Sequence, residues 1–227
     1  MSKCLFIAGT ATDVGKTFIS ALVVKCLRDA GLNAGYYKAA ASGVELDENG
    51  KLIGGDPIYV NDFAGIGESA ENLVSYVYAQ PVSPHLAARI NNRPIEFTVV
   101  ERDFNRAKKK YDYLVVEGSG GVICPLRWDN ESHFMLLDMV RAFNLPLLLV
   151  ANAGLGTINS TVLTVDYLRK NEFNINAIIL NHFSEDTMEV DNLAMIEEMT
   201  NLPVIAKVRL GDNKLDINID KLTKLFI

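Results

Sequence analysis

The sequence predicts an α/β fold: a doubly wound, mostly parallel sheet with helices on both faces. Three observations lead there. Short apolar runs alternate with longer helix-like segments along the 227 residues, the order that builds a parallel sheet through right-handed crossovers. Several runs are apolar throughout rather than at every second residue, as expected of strands covered on both faces. The first run leads through a short loop directly into a helical pattern, and sheets of this kind bind ligands at the C-terminal ends of their strands.

Taken in order, the apolar run Cys4–Ala8 is the first strand and Lys16–Ala30 the first helix, with a second strand over Ala34–Lys38. The polar stretch Gly43–Gly55 reads as a mobile connection near the site, since loops of this composition carry function on a rigid scaffold. Helices follow near Pro57–Ala64 and Pro94–Lys110, then a strand at Tyr113–Val116. The helix Ser132–Phe143 precedes the strand Leu147–Val150, Ile158–Lys170 precedes Ala177–Leu180, and Glu185–Thr200 precedes Val204–Val208. With no internal repeat, low-complexity tract or linker, residues 1–227 read as one domain.

Composition narrows the function. Hydrophobic residues at 49% and charged residues at 22% make an ordinary globular balance that can bury a substantial core. A net charge of -6 weighs against nucleic acid as a partner. The one basic run, Lys108-Lys109-Lys110, reads as a solvated helix end. No apolar run approaches the roughly 20 residues that span a bilayer, so no membrane is expected. Cys4, Cys26 and Cys124 are an odd, scattered set that suits a reducing cytoplasm without disulfides. With His85, His133 and His182 they form no pair at metal-ligand spacing.

The chemistry starts at Gly9-Thr10-Ala11-Thr12-Asp13-Val14-Gly15-Lys16-Thr17, followed by Phe18-Ile19-Ser20-Ala21-Leu22-Val23-Val24. Strand, loop, Gly-Lys-Thr and helix form the context of a phosphate-binding loop. Its backbone N–H groups and the helix start can cradle phosphates, Lys16 can reach the β- and γ-oxygens, and the Thr17 hydroxyl can ligate magnesium. The strict spacing wants glycine at position 10, whereas this chain has Thr10 and places its glycine at 9. The competing reading is a plain strand-to-helix turn capped by Thr12 or Asp13. Partitioning ATPases related to the nitrogenase iron protein carry an extra lysine where Ala11 stands here.

Segment Gly9–Thr17 resembles the G-T-x-T-[DE]-V-G-K-T loop of the dethiobiotin synthetase family, and the likeness continues along the chain. Tyr37-Lys38-Ala39-Ala40-Ala41-Ser42-Gly43 is similar to Y-K-P-[VI]-x-[ST]-G, and Gln80-Pro81-Val82-Ser83-Pro84-His85 to a P-x-[AS]-P-H turn. Val115-Val116-Glu117-Gly118-Ser119-Gly120-Gly121 matches V-V-E-G-[AS]-G-G, and Gly154-Leu155-Gly156-Thr157-Ile158-Asn159 matches L-G-x-I-N. Departures are Ala39 for proline, His182 for an aspartate, and Ala206 and Arg209 for a later glycine and proline.

The resemblance implies a reaction of 7,8-diaminononanoate, carbon dioxide and ATP that yields dethiobiotin, ADP and phosphate in the biotin pathway. It implies Lys16, Lys38 and Thr12 as catalytic residues. Asp13, Val14, Gly15, Lys16, Thr17 and Phe18 would hold ATP, with Glu117, Gly118, Ser119 and Gly120 opposite them. Thr17, Asp56 and Glu117 would hold Mg2+. A carboxylate ending an apolar strand beside a phosphate loop is also a natural magnesium partner on residue type alone, and the glycines after it would let backbone approach a ligand. Asp56 reads locally as a helix cap. Asn181, beside His182, offers both donor and acceptor to a base. Ser42 is expected on substrate or carbamate. Gly154 and Asn159 are expected to meet the substrate carboxylate, where a helix start leaves unpaired N–H groups. The resemblance further implies a homodimer with shared sites. An amide-forming enzyme of the cobyrinate diamide synthase type and a non-enzymatic nucleotide switch are the alternatives. The first lacks its glutaminase domain here; the second lacks the lysine at position 11.

Overall fold

The computed structural model describes residues 2–227. The chain runs β1 (Lys3–Gly9), α1 (Lys16–Asp29), β2 (Ala34–Ser42), β3 (Glu45–Leu46), β4 (Leu52–Gly54), α2 (Asp56–Phe63) and α3 (Ala70–Leu73). It continues through β5 (Val74–Tyr78), α4 (Pro84–Ile90), α5 (Phe97–Lys110), β6 (Tyr113–Glu117), β7 (Pro125–Trp128) and β8 (His133–Met135). The last elements are α6 (Leu136–Ala142), β9 (Leu147–Asn152), α7 (Thr157–Lys170), β10 (Ile175–Asn181), α8 (Thr187–Thr200), β11 (Val204–Val208) and α9 (Ile219–Thr223).

Seven strands form one sheet in the order β11-β10-β9-β1-β6-β2-β5, and its neighbours pair in parallel. The apolar strands explain why it is covered on both sides. In β1, Cys4, Phe6 and Ala8 point into one core while Leu5 and Ile7 point into the other, because successive strand residues face opposite ways. Helices α1, α2 and α9 contribute to the second core and α4 to α8 to the first. Fully burying one such Leu, Ile or Phe is worth about 1.5–3 kcal/mol, so β1 is fixed from both faces. That fixes where the first loop emerges: at the C-terminal edge, between β9 and β6.

Several boundaries differ from the sequence reading. The sheet has a seventh strand, β5, a short edge whose buried residues alternate with half-buried ones. The stretch 43–55 contains a small antiparallel hairpin of β3 and β4, closed by Asp47 N–H to Lys51 O at 2.8 Å. Helix α5 starts at Phe97, not Pro94, because Ile95 is buried and the Glu96 N–H is taken by the Tyr76 hydroxyl at 3.0 Å. The expected helix at 132–143 begins only at Leu136; its first residues pair as β8 against β7. Helix α8 starts at Thr187, after Asp186 caps it by accepting from Glu189 N–H. Among the described residues no helix is long and apolar enough to cross a membrane.

Candidate active site

The loop between β1 and α1 turns at Gly15, whose φ of 89° and contact with Asn181 both require glycine. An added Cβ would lie 2.0 Å from Asn181 Nδ2. Lys16 is buried and folds back over the loop, donating to Ala11 O at 3.0 Å. Thr17, one residue into the helix, donates to Glu117 Oε1 at 2.9 Å.

Glu117 ends β6 beside Lys38 of β2, in direct register. The two strands therefore present a carboxylate and an ammonium to the same face. Lys38 Nζ donates to Glu117 Oε1 at 2.6 Å and also to Asp56 Oδ2. Tyr36, two residues before Lys38 and on the same face, donates to Glu117 Oε2 at 2.9 Å. Glu117 and Lys38 are buried, whereas the Asp56 side chain is 41% exposed. Asp56 is the first residue of α2, so Gly55 rather than Asp56 holds the cap position.

The electrostatics follow from this packing. Burial works against the Lys38 charge, yet Glu117 and Asp56 hold its pKa above that of an ordinary lysine. Burial, then the neighbouring Lys38 charge, pulls Lys16 below the usual value. For Asp56, burial is outweighed by Lys38 and the carboxyl sits below its usual range. Cys124, at the edge of the site, is pushed up to about 11 by burial and stays a thiol.

Two adjoining cavities open at these groups. The first, about 400 Å³, is lined by Thr12, Asp13, Gly15, Lys16, Thr17, Lys38, Ser42, Asp56, Glu117, Ser119, Gly120 and His182. The second, about 560 Å³, shares Thr12, Asp13, Ser42, Ser119 and Gly120 and is otherwise walled by Pro81, Val82, Pro84, Ile123 and Cys124 among others. The first is lined by charged groups; the second has no lysine or arginine and mixes hydroxyl groups with an apolar wall. The donor set Thr17 Oγ1, Glu117 and Asp56 consists of hard oxygens within one cluster, which suits magnesium. Among the described residues no group of three His, Cys, Asp or Glu could hold a metal alone, so phosphate oxygens would have to complete such a shell.

Not every candidate reaches the cavities. Gly118 lines neither; a Cβ there would strike the Phe6 ring at 2.8 Å, so packing under the site also requires glycine at this position. Val14 is buried, and its carbonyl accepts from Asn181 Nδ2 at 3.0 Å. That bond takes one of the two Nδ2 hydrogens; Nδ2 also lies 3.5 Å from His182 Nε2, and the Oδ1 is buried without a partner. Phe18 and Asn181 line a third cleft, beside Gly15, and His182 borders both this cleft and the phosphate cavity. Gly154 and Asn159 lie at the start of α7 and line none of these three. Sequence reasoning missed Tyr36, although its period-two relation to Lys38 is a usable signal. It also missed the apolar wall at Pro81 and Ile123, which comes from two distant loops.

A family model described as an AAA domain matches residues 3–212. A protein of Brachyspira hyodysenteriae named ATP-dependent dethiobiotin synthetase BioD is 46% identical over 217 residues, covering 95% of this chain and 96% of its own. A Clostridium botulinum (strain Eklund 17B / Type B) protein of the same name is 44% identical over 227 residues, covering 100% and 99%. Among solved structures, the Aquifex aeolicus MinC:MinD cell division complex aligns with a TM-score of 0.58 at 13% identity, covering 99% of this chain and 86% of the other. A ParA family ATPase from Chlorobium tepidum aligns at 0.56 and 13%, covering 99% and 89%. At that identity the likeness shows the shared parallel-sheet P-loop fold alone.

Proposed function

The chain belongs to the ATP-dependent dethiobiotin synthetase family, and from that premise we propose that it closes the cyclic urea of dethiobiotin from 7,8-diaminononanoate, carbon dioxide and ATP. As a family member it is an ATP-dependent enzyme forming C–N bonds. The carrying observation is the junction of the two cavities at Thr12, Ser42, Ser119 and Gly120. Phosphates fit the charged side, the alkyl chain of a diamine fits along the wall of Pro81, Val82 and Ile123, and the reacting atoms would meet between them.

One amine captures carbon dioxide as a carbamate, whose oxygen attacks the γ-phosphate and releases ADP. The second amine attacks the carbonyl carbon of the mixed anhydride, closing the ring and expelling phosphate. Two anions must approach each other in the first transfer. Lys16 and Lys38 offset that repulsion, the loop N–H groups add partial positive charge, and Ser42 and Thr12 orient the carbamate. Thr17, Asp56 and Glu117 would hold magnesium, which supplies further charge neutralisation on the phosphates. Lys38 rests on Glu117 and Asp56 and is poised between metal ligands and carbamate.

The substrate's carboxylate lies at the far end of its alkyl chain, and the second cavity has no lysine or arginine in its wall. This supports a homodimer in which the N-terminus of a neighbour's α7, with Gly154 and Asn159, meets that carboxylate. The exposed Leu155, Leu163 and Tyr167, spaced along that helix start and face, suit burial against a second copy. Residues 1–227 would act as one cytoplasmic ligase domain.

The test is mass detection of dethiobiotin from purified protein, diaminononanoate, bicarbonate and Mg-ATP. Lys16→Ala should lower the rate by on the order of 10² or more. Nucleotide binding without product would overturn the ligase reading in favour of a switch.

A further inference from the structure

We propose that Tyr59, backed by Phe63 and Phe18, is the stacking platform for the nucleobase and makes the enzyme prefer purine over pyrimidine triphosphates. The inference rests on the ATP-dependent reading above and adds a specificity residue to it.

The third cleft, of about 410 Å³, is lined by Phe18, Tyr59, Phe63, Asn181, His182 and Leu210 among others, with no lysine or arginine in its wall. It shares Gly15 and His182 with the phosphate cavity, so a nucleotide whose phosphates lie on the loop delivers its base here. Tyr59 and Phe63 are stacked, with ring centroids 5.6 Å apart and planes 24° from parallel. Phe18 meets Phe63 edge-on at 6.1 Å. Tyr59 is 43% exposed, which leaves a flat aromatic surface free at the cleft.

The buried Asn181 Oδ1 without a partner is the second, independent pointer. An unpaired buried acceptor is costly, and a ligand N–H in the cleft would relieve it. A neutral, planar heterocycle with an exocyclic amine answers both the aromatic wall and this acceptor. Adenine and cytosine both carry such an amine, so Asn181 does not separate them. Ring area does, because a purine covers more of Tyr59 than a pyrimidine.

Tyr59 also sits three residues after Asp56 on α2. One helix thus carries both the base platform and a carboxylate at the phosphates.

The experiment compares wild type, Tyr59→Ala and Tyr59→Phe in steady-state kinetics, and in calorimetry with ADP and with inorganic tripolyphosphate. Base–aromatic stacking predicts a roughly ten-fold rise in KM for ATP in Tyr59→Ala with kcat within about two-fold. Tyr59→Phe should restore KM. Tripolyphosphate affinity should not change, and the ATP-to-CTP ratio of kcat/KM should fall toward one. The ATP-to-ITP ratio should hold, because both bases have the same ring area. An unchanged KM in Tyr59→Ala would overturn the proposal, and so would an equal loss of tripolyphosphate binding, which marks a merely structural role. If ADP binding depends on Tyr59 while wild type makes no dethiobiotin, the ligase reading fails and the base platform stands. If dethiobiotin forms and Tyr59 is indifferent, the platform alone fails.

Discussion

Replacing Lys38 by methionine keeps most of the side-chain volume and deletes one ammonium from between Glu117 and Asp56. Glu117 is 1% exposed and loses its donor at 2.6 Å. It keeps the Thr17 and Tyr36 hydroxyls, each at 2.9 Å. Removing one member of a buried ion pair typically costs about 3–5 kcal/mol. Two surviving hydrogen bonds to the carboxylate, worth about 1.5–3 kcal/mol each, hold the loss to the lower end of that range. Asp56, partly in water, adds little. The expected loss is therefore about 3 kcal/mol, or roughly 6–12 °C in Tm for a chain of this size. Urea unfolding followed by far-UV circular dichroism measures it in Lys38→Met, Glu117→Gln and the double variant. The double variant has neither charge left to satisfy, so the cycle should show a favourable coupling of about 1–3 kcal/mol. A loss under about 1 kcal/mol, or strictly additive variants, would refute the view that Lys38 neutralises a buried Glu117.

Gly15→Ala forces a side chain onto a φ of 89° and against Asn181 Nδ2; calorimetry should show a roughly five- to hundred-fold weaker ADP affinity, given strain of about 1–3 kcal/mol, and unchanged affinity would mean that Asn181 does not hold the loop. Glu68 is pulled down to about 2 from 4.5: burial works against ionisation, but Lys110, Asn72, the Ser69 N–H and the Tyr111 hydroxyl outweigh it. A depressed carboxyl contributes stability above pH 4.5 that is lost as pH falls toward 2. With the half-exposed Lys110 discounted, Glu68→Gln should cost about 1–3 kcal/mol near neutrality and only a small remainder by pH 2, and a constant difference across that window would sink the assignment. Mixed and refolded Lys16→Ala and Asn159→Asp chains should regain about a quarter of normal activity, because half of randomly paired dimers are mixed and each has one intact site; no recovery in properly mixed dimers rejects the shared site.

The local signals in the sequence determined much of this protein. All-apolar runs such as Leu147–Val150 mark strands buried on both faces, and Gly-Lys-Thr after the first of them marks the phosphate loop, because both depend on residues adjacent in the chain. Glu117 and Lys38 were legible as strand-end charges for the same reason. What the tertiary structure decided is which of them meet. Register between β2 and β6 puts Lys38 against Glu117, a relation that loops of any length could have shifted. Gly118 reads as a ligand-side glycine, and the second demand on it, that Phe6 over a hundred residues away crowds its Cβ position, comes only from the fold. Asn181 reads as a base contact, but that Val14, 167 residues away along the chain, takes one of its amide hydrogens is a matter of the fold. The aromatic cluster joins Tyr59 and Phe63 of one helix to Phe18 of another, and the second cavity joins the loops at Pro81 and Ile123. Such contacts are set by how the sheet orders its strands and where each crossover returns, and the spacing of residues along the chain carries no record of either.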